Sequence, residues 1–237
     1  MPTPTIIPPD FLARHDLLHR LCIAPLKGLT PPTPWVPLTD AEWEAVSPFL
    51  AAHGCGLSFR PRPRPRPGRP PRDTRARLDA IFRAVTLKAP DGCRAPWSQL
   101  PPGFGKPDTV SRTHRRWARA GLWARLLVEV ACPTCPPVLR GLAYRLCCAF
   151  RRAIRIMGLR AIVLARRIGM FSALPAPSTY LPDPDLSEIV LPLVTRFMDS
   201  VAANPGWRPP RLAFRALDGL LRLCQGRRRL ARWMEPA

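Results

Sequence analysis

Four arginines at helical spacing are the residues in this sequence best suited to bind an anionic partner. Arg112, Arg115, Arg116 and Arg119 fall at i, i+3, i+4 and i+7, so they share one face of a helix with a 3.6-residue period. Guanidinium groups pair with phosphate oxygens and with the O6/N7 edge of guanine in the major groove of DNA. The competing interpretation is an arginine face that contacts only water.

Two hydroxyl side chains near the start of the same helix add to this pattern. Thr109 and Ser111 are candidates for further phosphate contacts, which the positive N-terminus of a helix favours. Asp108 is predicted to cap the helix, which is predicted over 108–120 and ends at Gly121. The opposite side of the helix is apolar, so its one histidine, His114, is predicted to be a core or edge residue and not a catalytic one.

Short amphipathic helices are predicted to position this basic face. The sequence Thr39-Asp40-Ala41-Glu42 fits a capping box that begins a helix over about 40–52. Asp73 is predicted to cap the next helix, WSQL at 97–100 allows one turn, and another helix fits about 122–131. No stretch of this region alternates apolar and polar residues as a half-buried β-strand does. The predicted class is therefore all-α: a small domain resembling a helix-turn-helix, followed by a second helical region. The predicted core consists of Trp43, Leu78, Phe82, Trp97 and Trp117.

An arginine-proline repeat, RPRPRPRPGRPPR, occupies residues 60–72. Each residue before a proline is pushed out of the α region, so the segment is predicted to be extended. Arg69 and Arg72 are its candidates for contact with a nucleic-acid backbone. A solvated spacer explains the same composition equally well.

The composition limits the classes of partner. The chain of 237 residues has 37 basic and 16 acidic side chains, a net charge of +21 that favours nucleic acid or an acidic membrane surface. The base composition of a GC-rich genome is the alternative source of so many arginines. Eight scattered cysteines, no signal-peptide pattern and no run of 18 apolar residues predict a cytoplasmic protein with reduced thiols and no membrane span.

We predict three regions: a proline-rich arm at 1–37, a helical domain at 38–131 and a basic helical region at 132–237. Residues 138–168 predict one or two amphipathic helices, interrupted near Gly158. Packing within a second domain, adsorption to a membrane surface and dimerisation all fit this pattern. Cys132 and Cys135 have the spacing of a zinc-ligand pair, but Cys147-Cys148 lacks it, so incidental cysteines are the default and no metal site is predicted.

Several blocks in one order carry a family resemblance. They are LTDAEWEAVSPFL, GRPPRDTRARLDAIF, W-x-x-LP-x-x-FG at 97–105 and TVSRTHRRWARAGLWARLL. Residues 36–131 resemble the N-terminal domain of bacterial DDE-type insertion-sequence transposases, although the insert KAPDGCRAPW at 88–97 is longer than the family's usual gap. The resemblance implies binding to double-stranded DNA at element termini, action at the bacterial nucleoid, and a following ribonuclease-H-like domain with three acidic metal ligands.

The acids after residue 131 do not follow a strand pattern that would support such a catalytic domain. Asp185 and Glu188 are better explained as the N-cap and N3 residues of a helix. No catalytic residue and no cofactor is therefore predicted. The hypothesis is a DNA-binding, transposase-derived protein without the catalytic domain, with a homo-oligomer left open. The alternatives are a helical interaction or membrane-peripheral protein without specific DNA binding, and an active transposase.

Overall fold

The computed structural model describes residues 19–55, 73–231 and 234–236, apart from the side chain of Cys22. Its described part is helical, with one isolated β-bridge between Lys88 and Arg94, so the predicted all-α class is confirmed. None of the described helices is long and apolar enough to cross a membrane. The helices are α1 (Ala24–Lys27), α2 (Asp40–Ala52), α3 (Thr74–Thr86), α4 (Pro107–Arg119), α5 (Leu122–Ala131), α6 (Pro137–Gly141), α7 (Ala143–Met157), α8 (Leu159–Arg167), α9 (Pro184–Ala203) and α10 (Arg211–Gln225).

Local capping explains where α2 and α3 begin. The Thr39 hydroxyl accepts the N–H of Glu42 at 3.2 Å, and the Glu42 carboxylate accepts the N–H of Thr39 at 2.9 Å. Asp73 accepts the N–H of Ala76 at 2.9 Å. Both predicted caps are therefore confirmed, and each satisfies amide groups that a helix end leaves without partners.

The described chain forms two compact units, and α7 is the central helix of the larger one, which comprises Gly28–Pro175 with the tail from Ala231. It packs against α3, α4 and α5. Phe150 and Cys147 of α7 are fully buried. The consecutive apolar residues Leu146–Phe150 cover most of the circumference of the helix, as is typical of a helix in a protein core. Gly158 separates α7 from α8 with a φ of 73°, which confirms the predicted interruption.

The predicted core residues Leu78, Phe82 and Trp117 are buried, whereas Trp43 and Trp97 are half-buried. The prediction placed a domain boundary at residue 131, and the division into three regions stays a prediction. Helix α7, which lies beyond that boundary in sequence, nonetheless completes the core of α3, α4 and α5.

The smaller unit contains the residues up to Lys27 and Ala176–Leu230. Helices α9 and α10 pack together through Leu193, Phe197 and Leu217. Asp183 is the N-cap of α9: it accepts the N–H of Leu186 at 3.1 Å, so the prediction of Asp185 as the cap is wrong. The helix begins earlier than predicted because Pro184 suits the first helical position, where its missing N–H is not needed.

Candidate nucleic-acid interface

Helix α4 has the two sides that the sequence predicts. Val110, Trp117 and Ala118 are buried in the core. The four arginines at 112, 115, 116 and 119 are all exposed on the other side. The helix therefore presents a continuous row of guanidinium groups to solvent, which we call the α4 arginine face.

The start of α4 differs from the prediction. The helix begins at Pro107 after Lys106, which makes no side-chain capping bond, so Asp108 is not the cap. Asp108 lies in the first turn and forms an ion pair with Arg112 at 2.8 Å. Of the α4 arginine face, Arg112 alone has a carboxylate partner among the described residues.

The two predicted hydroxyl groups lie in different environments. Thr109 is exposed, and its carbonyl accepts the hydroxyl of Thr113 at 2.8 Å. Ser111 is only 4% exposed and faces the core, so the structure does not bring it to the surface of the arginine face. The remaining candidates, Arg69 and Arg72, lie outside the described residues.

His114 connects three helices in the core, so of the two predicted positions, core or edge, it occupies the core. It is 1% exposed, and its Nε2–H donates to the Ala149 carbonyl of α7 at 2.9 Å. The His114 carbonyl accepts the indole N–H of Trp123 on α5 at 3.2 Å. Burial lowers the pKa of His114 to about 4, so its ring is neutral near pH 7. This contact fixes the rotation of α4, and thereby the direction of its arginines.

A groove beside α4 contains arginines that the sequence did not bring together. Arg94, Arg115, Arg119, Arg152 and Arg155 line a cavity of about 460 Å³. We call it the arginine groove. Two of these arginines belong to α4 and two to α7, and Trp97, His114 and Ile156 complete the lining. Arg94 follows the turn at 89–93, whose Ala89 N–H donates to the Cys93 carbonyl at 2.8 Å.

Arg152 is held firmly in the wall of this groove. Its two terminal nitrogens donate to the carbonyls of Ala84 and Ala95, each at 2.9 Å. Its guanidinium carbon lies 4.1 Å from the centre of the Trp97 ring, a cation–π contact. Burial, and then the charge of Arg94, lower the pKa of Arg152 to about 10. Arg152 is thus a structural part of the groove and stays charged at neutral pH.

Only part of the signal for this groove is present in the sequence. Arg152 and Arg155 are spaced i, i+3, which places them on one side of α7. No local pattern shows that this side meets α4, since that depends on how the helices pack. The insert at 88–97 contributes Arg94, and its Lys88–Arg94 bridge closes it into a compact turn.

One comparison with known proteins finds a match. Residues 38–127 match the family model described as "Putative transposase of IS4/5 family (DUF4096)". This segment is therefore similar to transposase domains of the IS4/5 type. The resemblance to an N-terminal transposase domain is thereby confirmed. No curated protein and no solved structure matches the chain.

The matched segment contains α2, α3 and α4 and most of α5. The α4 arginine face therefore lies within the segment that matches the transposase family model. The groove residues Arg152 and Arg155 lie outside it. In the part of the chain that the structure describes, no three His, Cys, Asp or Glu side chains cluster as metal ligands would.

Proposed function

We propose that this protein binds double-stranded DNA through the α4 arginine face, as a transposase-derived protein without a catalytic role of its own. The observation that carries the proposal is the row of four exposed arginines on one helix of an IS4/5 transposase-family domain. Three of them have no carboxylate partner among the described residues, so their donors are available to phosphate oxygens. The DNA termini of an insertion element, in the bacterial nucleoid, are the target that the family suggests.

The arrangement resembles a helix-turn-helix with a long connection. Helix α3 packs against α4, and residues 87–106 connect them, far more than the three or four residues of the usual motif. In this proposal α4 lies in the major groove. Thr109 contacts a phosphate near the helix start, and the segment 60–72, with Arg69 and Arg72, follows the backbone.

Salt dependence of binding tests the proposal. Fluorescence anisotropy of a labelled duplex should give a log affinity that falls with log salt, at a slope of about −0.9 for each phosphate neutralised. The R112A/R116A variant should weaken binding and flatten the slope by up to about 2, because it removes two charges of the face. Arg112 and Arg116 do not line the arginine groove, so this variant tests the helix face alone.

The matched control is R160A/R215A, which removes two exposed arginines that lie on α8 and α10. A purely electrostatic, delocalised attraction would weaken equally in both variants, which would contradict the proposal. Absence of binding at physiological salt would instead favour a helical interaction protein. The exposed apolar side chains Leu212 and Phe214 of α10 support that alternative.

A further inference from the structure

We propose that the arginine groove is a second DNA site, which holds backbone phosphates of the strand next to the α4 arginine face. The proposal rests on the proposed function and extends the interface onto α7, beyond the segment that matches the transposase family. Arg115 and Arg119 belong to both the face and the groove, so the two surfaces are continuous.

The charge in the groove favours an anionic ligand. Five guanidinium groups line one cavity. The adjacent pocket shares Arg94, Arg152 and Arg155 and also contains Glu235, whose carboxylate lies 3.3 Å from Arg94. Like charges gathered in one cavity repel each other, and more strongly where water is partly excluded. Phosphates in the groove replace that repulsion with charge-assisted hydrogen bonds.

The chemistry of the walls favours phosphate over a nucleobase. A base bound in such a cavity is usually stacked on an aromatic ring. Both aromatic rings that line the groove already have partners: the guanidinium carbon of Arg152 lies 4.1 Å from the centre of the half-buried Trp97 ring, and the ring of His114, 5.3 Å from Trp97, is buried. The groove therefore offers five guanidinium groups and only one partly exposed aromatic side chain.

Arg152 gives the groove a fixed wall, because its terminal nitrogens donate to two main-chain carbonyls. Those donors are therefore already used. Arg155, by contrast, is exposed and has no ion-pair partner among the described residues, so its donors are available to a phosphate. Loss of Arg155 should therefore weaken phosphate binding without disturbing the core.

The test compares R155A, R155K and R155E in the full chain, with R160A as the control for an exposed arginine outside the groove. With labelled duplex DNA, R155A should bind several-fold more weakly, with a salt slope flatter by about 0.9, which is one phosphate contact. R155K should keep the slope, R155E should bind more weakly than R155A, and R160A should match the unmodified chain. Thermal unfolding followed by circular dichroism should show the same midpoint for all four variants.

Two results would overturn the inference and leave the proposed function standing. One is that R155A binds DNA as the unmodified chain does, while R112A/R116A is weakened. The other comes from calorimetry with inorganic pyrophosphate: if R155A loses pyrophosphate binding but keeps DNA binding, the groove is a site for free phosphate compounds. Salt-insensitive or absent DNA binding by the unmodified chain would overturn both proposals.

Discussion

Replacing His114 with Gln should change how the stability of the larger unit depends on pH. His114 is buried and donates to the Ala149 carbonyl through Nε2, and burial lowers its pKa from 6.5 to about 4. In the unfolded chain the same ring binds a proton near pH 6.5. Between these two values the unfolded state holds a proton that the folded state does not, so stability falls as the pH falls.

The size of this effect follows from the two pKa values. One pKa unit corresponds to 1.36 kcal/mol, so lowering the pKa from 6.5 to about 4 corresponds to about 3 kcal/mol. This contribution is fully present above pH 6.5 and is lost progressively down to about pH 4. The H114Q variant lacks the titrating ring, so the difference in free energy of unfolding between the two proteins should change by up to this amount across the window.

Urea unfolding followed by tryptophan fluorescence, repeated from pH 4.5 to 7, measures this difference. Burial raises the pKa of Asp79, which makes the opposite contribution as the pH falls, but that contribution is present in both proteins. The comparison therefore isolates His114. Parallel curves of stability against pH would refute the reasoning, because they would show that the folded state takes up the proton as readily as the unfolded state.

The remaining predictions concern local packing and are all measured as changes in the free energy of urea unfolding. F150A should cost about 3–5 kcal/mol, because Phe150 is fully buried on α7. T39A should cost about 1 kcal/mol through the lost cap of α2; an unchanged value would show that this end of the helix contributes nothing to stability. In the smaller unit G226A should be destabilising, because the new Cβ would lie 2.5 Å from the Pro182 nitrogen and the backbone φ is +69°. G219A should instead stabilise by up to about 1 kcal/mol, because Gly219 lies within α10 and a Cβ there would meet no other atom within 4 Å.

Local chemistry in the sequence was enough to predict most helices and the arginine face. The capping box at Thr39 and the cap at Asp73 depend on residues three positions apart, and the exposure of Arg115 and Arg116 follows from helical period alone. The start of α4 differs from the prediction for a similarly local reason. Aspartate is a common cap, but Pro107 at the first helical position is already set in the helical backbone conformation, so the helix begins before Asp108.

The groove and the centre of the fold were not predictable in this way. Helix α7 has two buried arginines, Arg145 and Arg151, which make a core helix look basic and amphipathic in sequence. Their burial depends on partners far along the chain: Glu42 lies 3.6 Å from Arg145, and the Ser172 carbonyl accepts from Arg151 at 2.6 and 3.0 Å. Such pairings form only when segments distant in sequence pack together, so the spacing of apolar and basic residues along one helix cannot predict them.

The arginines behind the high net charge do not all have the same role in the structure. Those of α7 lie in distinct environments. Arg151 donates to main-chain carbonyls inside the protein and so stabilises the fold, whereas Arg155 projects into the groove with no ion-pair partner among the described residues. A guanidinium whose N–H groups are hydrogen-bonded within the protein has few donors left for a ligand. A cluster of guanidinium groups without such hydrogen bonds is stabilised chiefly by an anion. In the proposed DNA-binding mode, the charge that contacts DNA is that of the α4 arginine face and the adjoining groove, which is only part of the total of +21.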